Sequence, residues 1–450
     1  MITLKNILNI DEIEGNIIVG LDKDNAIFKN LNLALNKKLE SFANNDVITT
    51  LNLIKARKIY LFDKEITKAS IKEMVKIKNA SILIDSFVNG VEYLEKIATT
   101  FTSENYIEQT HKSKKEELNS NITIICENIE AKNKIHTGEI IGNSINIAKH
   151  LVNEPSNYLN AEQLAEYTTL AFANFKKIKV EIYDEFYLAK QKMGAFLGVN
   201  KGSFYKPRLI VIKYQGLKKF EDPTCFVGKG ITFDTGGYSL KRNMINMKTD
   251  MAGSASVIGA LKGIAELDLP VNVMGIIGAT DNRLSPESIV PDDILTSMSG
   301  KTIEITSTDA EGRLVLCDVL WYAQKQGAKK IIDIATLTGS AANTFGGEFT
   351  ASFTNNETFL KEFKKTSRLS DENVWQLPLH DPYFKLLKST VADMKNSAGI
   401  PAAGASTAAI FLKQFIQDDT KWIHLDIAGT ASKDSLATGV MVKSFINFVR

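Results

Sequence analysis

Short runs rich in Ile, Val and Leu alternate with amphipathic stretches along the whole chain, and this alternation restricts the fold more than any other feature. Runs of about four to eight such residues predict buried strands, and the stretches between them predict helices, for example at 91–101. Alternating strands and helices favour an α/β fold with central mixed sheets flanked by helices. The predicted strands are 16–20, 58–62, 81–84, 121–126, 179–183, 209–214, 224–227, 271–277, 330–334 and 422–427, and two further helices are predicted at 254–267 and 314–326.

The length of the chain predicts two domains, because 450 residues exceed what one compact core usually holds. Apolar residues at helical spacing predict a connecting helix at 138–153. This helix would end before Pro155, since a proline disfavours the helical conformation of the residue that precedes it. We therefore expect an N-terminal α/β domain at 1–137 and a C-terminal α/β domain at 154–450, with a site at the strand ends of the latter.

The composition argues against several classes of protein. A net charge of +2 gives no overall field that would attract nucleic acid or a membrane surface. No apolar run approaches the roughly 18–20 residues needed to span a bilayer, and the first residues lack the pattern of a signal peptide. Cys126, Cys225 and Cys317 lie far apart in apolar runs, which predicts buried free thiols. These features predict a cytoplasmic protein.

A charged run at 307–314 is the strongest chemical signal in the chain. If its backbone is extended, Asp309, Glu311 and Arg313 point to the same side, because side chains alternate along a strand. Two acids beside one base suit the binding of a cation and an anion together. Four more charged candidates lie upstream: Lys229, Asp234, Lys241 and Asp250.

The residues in and around this run resemble the leucyl (cytosol) aminopeptidase family, the M17 two-metal peptidases. The resemblance extends from about Ile140 to the C-terminus and is weak or absent before that. It implies a non-catalytic N-terminal domain and a catalytic metallopeptidase domain that removes the N-terminal residue of peptides. The matching blocks, in the family's order, are 227–237, 247–251, 308–314, 333–339 and 426–429.

The resemblance implies a site for two divalent ions. Asp234 and Glu311 would bridge the ions, Lys229 and Asp250 would complete one, and Asp309 would complete the other by its side chain and backbone carbonyl. Taken alone, Lys229 is more typical of a solvated or ion-paired lysine, because lowering its pKa from about 10.4 to below 7 costs about 5 kcal/mol. A nearby dication can supply that energy. Zn²⁺ and Mn²⁺ are the expected ions, and Mg²⁺ or Co²⁺ remain open.

The resemblance also implies how the reaction proceeds. A water activated by the two ions would be the nucleophile, and Lys241 would stabilise the oxyanion. Arg313 cannot act as a base, because a guanidinium does not deprotonate in proteins, so it would hold a bicarbonate that shuttles protons. Leu or another apolar residue, including Met, would be the preferred N-terminal residue of the substrate. The expected substrate-binding residues are Met247, Asp250, Thr336, Leu337 and Ala428.

Some expectations concern partners and competing interpretations. The resemblance implies a homohexamer acting on peptides with a free N-terminus. Lysines at 37–38 and 112–115 allow an additional DNA-binding or regulatory role, although nucleic acid is not the expected partner. None of the five histidines forms a metal-ligand motif, and structural or surface roles are expected for all of them.

Two departures from the family pattern bear on the site. Ser307 stands where the family usually has asparagine, which would change hydrogen bonds around the ligands but not the ligands themselves. The segment between Asp234 and Asp250 is about two residues shorter than usual. The shortening falls near 242–246, so it affects the wall of the expected substrate pocket.

Overall fold

The structure, a computed structural model, describes residues 1–6, 9–36, 39–116, 121–400 and 402–450. The chain divides into two compact units, Met1–Asn143 and Ser144–Arg450. Each unit is built on a mixed sheet flanked by helices, which confirms the predicted α/β class. Lys37 and Lys38 of the first lysine-rich stretch lie outside the described residues.

The first unit contains a six-stranded sheet in the order β1-β6-β5-β2-β4-β3. All neighbouring strands run parallel except β3, which is antiparallel to β4. Alternating side chains of the sheet enter two apolar clusters, as Ile17 and Ile18 do. The strands are β1 (Ile2–Lys5), β2 (Gly15–Leu21), β3 (Val47–Thr49), β4 (Ala56–Asp63), β5 (Ala80–Leu83) and β6 (Ile122–Ile125), and the helices are α1 (Ala26–Leu35), α2 (Lys68–Met74), α3 (Gly90–Glu104) and α4 (Ala131–Asn153).

Helix α4 covers 138–153, for which the sequence predicts a helix, and it begins earlier than expected. It begins at Ala131 and ends at Asn153, two residues before Pro155. The end therefore lies where proline prevents further helix. The division between the two units falls inside this helix, after Asn143.

The second unit contains an eight-stranded mixed sheet in the order β15-β14-β17-β13-β9-β10-β8-β7, with a three-stranded sheet β11-β12-β16 and a two-stranded sheet β18-β19. The strands are β7 (Ile178–Tyr183), β8 (Arg208–Gln215), β9 (Thr224–Asp234), β10 (Asn272–Asn282), β11 (Ile294–Thr296), β12 (Thr302–Glu304), β13 (Lys330–Ala335), β14 (Thr350–Thr354), β15 (Val374–Gln376), β16 (Met394–Lys395), β17 (Lys421–Asp426), β18 (Ser432–Lys433) and β19 (Leu436–Ala437). The helices are α5 (Ala161–Phe172), α6 (Glu185–Lys190), α7 (Gly194–Asn200), α8 (Ala252–Glu266), α9 (Gly312–Lys325), α10 (Gly339–Phe345), α11 (Glu357–Leu369), α12 (Gly404–Lys413) and α13 (Val442–Val449).

The centre of the large sheet determines where a site can form. Strands β17, β13, β9 and β10 are parallel neighbours, so their carboxyl ends meet at one edge. Open sheets of this kind bind ligands outside the carboxyl ends of the strands. Strand β9 carries Lys229 and ends at Asp234, which brings two of the expected ligands to that edge.

The backbone of the charged run differs from the extended conformation that we expected. Residues 308 and 309 form a turn, Glu311 is already helical at φ −76° and ψ −38°, and α9 begins at Gly312. Arg313 therefore lies in the first turn of a helix. The prediction that Arg313 lies near the acids because side chains alternate along a strand was therefore wrong in its reason. The turn and the start of the helix bring these side chains together instead.

A membrane-spanning helix is not found among the residues that the structure describes, since none of their helices is both long and apolar enough.

Candidate metal centre

Three carboxylates and one lysine meet in the interior of the second unit. One oxygen from each of Asp234, Asp250 and Glu311 lies within 4.8 Å of the other two, and all three residues are buried. Lys229 is also buried, with 2% of its surface exposed. Buried carboxylates are rare unless they are paired or coordinate a metal, so this cluster is a candidate metal site.

Lys229 lies at the centre of the cluster. Its Nζ is 2.7 Å from Asp250 Oδ2 and 3.0 Å from Glu311 Oε1, and it donates a hydrogen bond of 2.9 Å to the carbonyl of Thr336. Burial disfavours its ammonium form, but the surrounding carboxylates outweigh burial and raise the pKa of Lys229. A metal ion would compete with a proton for this nitrogen, so binding by Lys229 would release that proton.

Asp234 is held at the end of β9 by its neighbours. Its Oδ1 accepts hydrogen bonds from Asn282 Nδ2 at 2.8 Å and from the backbone N–H of Gly236 at 2.9 Å. Gly236 and Gly237 have φ values of +84° and +58°, which favour glycine, and they turn the chain sharply after the strand. Its other oxygen, Oδ2, lies 2.7 Å from Lys241 Nζ.

Asp309 lies beside the buried trio of carboxylates but outside it. Lys241 connects the two, since its Nζ lies 2.7 Å from Asp234 Oδ2 and also contacts Asp309 Oδ1. Burial, together with the charges of Asp234 and Glu311, raises the pKa of Asp309 to about 6. Asp309 is the more accessible ligand candidate, with 35% of its side chain exposed.

Asp250 reaches the cluster from a 3₁₀ helix at Met247–Met251, directly before α8. Its Oδ1 accepts a hydrogen bond of 2.8 Å from the hydroxyl of Thr336. We expected Thr336 to line the substrate pocket, and the structure gives it contacts with two ligand candidates through its hydroxyl and carbonyl. Met247 is half-buried at the start of the same 3₁₀ helix.

The chemistry of this cluster fits divalent metal ions. Glu311 Oε2 is buried and accepts no hydrogen bond from any residue that the structure describes. An orphaned buried carboxylate oxygen is unfavourable unless a cation satisfies it. Carboxylate oxygens with one amine suit Zn²⁺, Mn²⁺, Mg²⁺ or Co²⁺.

Arg313 offers a place for an anion next to the acids. Its Nη1 donates a hydrogen bond of 2.7 Å to the carbonyl of Asn396, while its buried Nε has no partner among the described residues. Burial lowers the pKa of Arg313 to about 10, and the nearby carboxylates of Glu311 and Asp426 oppose that shift. An unpaired donor on a buried guanidinium fits a small anion such as bicarbonate.

Asp426 accepts hydrogen bonds from the backbone of Leu337 and Ala428, two of the residues expected to bind the substrate. Its Oδ1 accepts hydrogen bonds from the backbone N–H groups of Leu337 at 3.1 Å and Ala428 at 3.2 Å. The hydroxyl of Thr338 donates to its Oδ2 at 2.6 Å. This one buried carboxylate therefore fixes the chain just beyond β13 and β17, where Leu337 and Ala428 lie half-buried.

Three supporting residues were missed by the sequence analysis: Asn282, Asn396 and Asp426. Asn282 and Asp426 end parallel strands, and a polar residue at that position could have indicated them. Asn396 offers no such local signal, because its contacts are with residues about 90 positions away.

The expectations about histidines and thiols can also be compared with the structure. His424 is buried, and its Nδ1 lies 2.6 Å from Asp333 Oδ1 between neighbouring strands, as suits a structural residue. The three cysteines are free and buried, as predicted.

Comparisons with known proteins identify relatives of this chain. A profile of the cytosol aminopeptidase family, catalytic domain, matches residues 146–446. A probable cytosol aminopeptidase of Clostridium tetani is 42% identical over 392 residues, which are 83% of this chain and 81% of that relative. A probable cytosol aminopeptidase of Bacillus licheniformis is 43% identical over 330 residues, which are 71% of this chain and 66% of that relative.

The fold is also similar to that of a solved structure, a variant of tomato leucine aminopeptidase. The TM-score is 0.88 at 29% sequence identity, and the match covers 100% of this chain and 96% of the tomato chain. The profile and the bacterial relatives together confirm the resemblance expected from the charged run. The chain belongs to the cytosol aminopeptidase family, whose members are hydrolases that remove residues from the N-termini of peptides.

Proposed function

We propose that this chain is a two-metal aminopeptidase that removes N-terminal Leu, Met and other apolar residues from peptides. The observation that carries the proposal is the buried cluster of Asp234, Asp250 and Glu311 around Lys229. No serine or cysteine nucleophile is needed when such a cluster holds divalent ions.

Five residues would hold the ions. The family resemblance implies that Asp234 and Glu311 would bridge them, and the proposal is supported by one oxygen of each lying within 4.8 Å of the other. Lys229 and Asp250 would complete one ion, and Asp309 would complete the other from the more exposed side. Bound ions would supply Lewis acidity, which polarises the scissile carbonyl and lowers the pKa of water.

Two basic residues of the chain would handle charge during the reaction. Lys241 lies at the border between Asp234 and Asp309, where its ammonium can donate to the oxyanion that develops on the scissile carbonyl. Arg313 would hold a bicarbonate through its unpaired Nε, and this anion would serve proton transfer between water and the leaving amine.

The walls of the site would select the substrate. Asp250 would help to hold the free amine, which restricts cleavage to the first residue. Met247, Leu337 and Ala428 offer apolar, half-buried surface for the first side chain. The backbone carbonyl of Leu337 would accept a hydrogen bond from the substrate.

The test compares leucyl-p-nitroanilide with its N-acetylated form, using protein loaded with Zn²⁺ or Mn²⁺. We expect cleavage of the free-amine substrate alone, and loss of activity after exhaustive chelation with recovery when metal is returned. Methionyl, lysyl and glutamyl p-nitroanilides then measure the preference for apolar residues. Equal cleavage of the acetylated substrate, or full activity without metal, would rule out the proposal.

The oligomeric state of the protein and its place in the cell are part of the same proposal. We propose a homohexamer in the cytoplasm, where the three free thiols would stay reduced. Mass measurement of the purified protein in solution tests the assembly, and a monomer that is fully active would contradict it.

A further inference from the structure

We propose that Asn396 is a positioning residue. It holds the loop that carries Asp309 and Glu311, and it also holds the side chain of Arg313, in the positions that the reaction requires. The inference rests on the proposed metal centre and goes beyond it, since Asn396 itself would touch neither metal nor substrate. It would act on the metal and anion sites at once.

The position of Asn396 follows from the small sheet. Strands β12 and β16 run parallel, with Glu304 opposite Lys395. Asn396 is the next residue after β16, and its backbone N–H donates a hydrogen bond of 2.9 Å to the carbonyl of Glu304. The hydrogen bonds between β12 and β16 therefore end where the chain leaves β12 and enters the loop that carries Asp309.

The amide of Asn396 continues these hydrogen bonds with its side chain. Its Oδ1 accepts hydrogen bonds from the backbone N–H groups of Thr306 at 2.8 Å and Ser307 at 3.3 Å. Its Nδ2 donates to the carbonyl of Ser307 at 2.6 Å and reaches that of Ala310 at 3.5 Å. One fully buried side chain thus binds the loop on both sides of Asp309.

The backbone of the same residue holds the anion site. The carbonyl of Asn396 accepts the 2.7 Å hydrogen bond from Arg313 Nη1, which leaves the unpaired Nε of Arg313 for an anion. A shift of Asn396 would therefore move Arg313 and the ligand loop together. Hydrogen bonds that orient ligands without touching the metal typically change metal affinity or activity by about 10- to 100-fold when removed.

The variant Asn396→Asp tests this role with almost no change of shape. It replaces the donor Nδ2 with an acceptor oxygen, which would face the carbonyl of Ser307. The matched control is Asn272→Asp, because Asn272 is also buried and its Nδ2 donates to the carbonyls of Lys219 at 2.7 Å and Glu221 at 3.0 Å. That loop carries none of the proposed ligands.

Two quantities are measured on the full chain, starting from metal-free protein: the dissociation constant for Mn²⁺ by calorimetry, and hydrogen exchange at the amides of Thr306 and Ser307. We expect Asn396→Asp to weaken Mn²⁺ binding by about 10- to 100-fold and to speed exchange at both amides. Turnover should recover in part at high Mn²⁺ concentration, which a general loss of structure would not allow. The Asn272→Asp control should leave Mn²⁺ binding and these two amides unchanged.

The variant Thr306→Ala keeps the inference testable if Asn396→Asp fails to fold. It removes the hydroxyl and the γ-methyl group of Thr306. The hydroxyl donates to Asn396 Oδ1 at 3.3 Å and to the carbonyl of Ser397 at 2.8 Å. We expect a smaller loss of Mn²⁺ affinity in the same direction.

Faster exchange at 306 and 307 with wild-type Mn²⁺ affinity would overturn the inference, as would an equal loss in the Asn272→Asp control. If the wild-type chain bound no divalent ion, the proposed function and this inference would both fall, whereas normal binding in wild type and Asn396→Asp alike would remove only the inference.

Discussion

A Cβ atom on Gly312 would lie 2.5 Å from Cε of Lys229, which is closer than real Cβ contacts allow. Gly312 is the first residue of α9, and its lack of a side chain leaves room for the buried lysine, which passes directly against it. This contact links the helix start after Glu311 to the lysine on β9. A side chain at position 312 would therefore compete with Lys229 for the same space.

The variant Gly312→Ala should displace Lys229 from the carboxylates and weaken metal binding. We expect loss of most activity and at least one bound ion, measured by metal analysis of the purified protein. Gly339→Ala is the control, because a Cβ at Gly339 meets no atom of the described residues within 4 Å. Full metal content and full activity in Gly312→Ala would show that Lys229 accommodates the added methyl group without leaving the carboxylates, and would contradict this prediction.

Glu311 and Asp309 should differ in how much metal they hold. Glu311 is buried within the carboxylate trio, whereas Asp309 lies outside it and is partly exposed. We expect Glu311→Gln to lose more metal than Asp309→Asn, although both should abolish turnover, because a bridging ligand serves both ions. Metal counting decides this, and two ions retained in Glu311→Gln would contradict the bridging role.

Lys241 and Arg313 should show different chemical roles. Lys241→Ala should lower kcat by about 10²–10³-fold while both ions stay bound, because it removes one donor to the oxyanion. Arg313→Ala should lower activity by a similar or smaller factor and abolish any dependence on added bicarbonate. Each variant is assayed with and without bicarbonate. A bicarbonate response that persists in Arg313→Ala would show that the anion is held elsewhere.

Asp318 on α9 should make stability depend on pH, apart from the catalytic site. Burial raises its pKa from the usual 3.8 to about 7, although the backbone N–H groups of Met298 and Phe196 donate to it and oppose the shift. At pH values between these two pKa values, Asp318 keeps its proton in the folded chain and loses it in the unfolded chain. The free energy of unfolding should therefore fall as pH rises through this window, by up to about 4 kcal/mol for this group.

The variant Asp318→Asn cannot ionise and should flatten this dependence. Urea unfolding at several pH values between 4 and 8 measures the slope for both proteins. Other groups contribute equally to both curves, so their difference isolates Asp318. Parallel curves would show that Asp318 does not change its pKa on folding.

Much of the fold was accessible from local patterns. The predicted strand at 209–214 lies within β8, and the helix predicted at 254–267 corresponds to α8 at Ala252–Glu266. Hydrophobic periodicity is a property of neighbouring residues, so it can be read without knowing the fold. The same reasoning failed at Arg313, because charged residues at a helix start show no periodicity that separates a turn from a strand.

The sequence by itself determined the α/β class and the family, and it supplied the candidate metal ligands, since residue types and their spacing are local facts. The roles of the site residues stay predictions. Only the tertiary structure showed that Gly312 makes room for Lys229 and that Asn396, 83 residues from Arg313, holds it by a backbone carbonyl. Those contacts depend on how strands distant in sequence become neighbours, and a backbone carbonyl is the same in every residue. The residue type at a position does not indicate such a contact, so only the packing of the folded chain determines whether it forms.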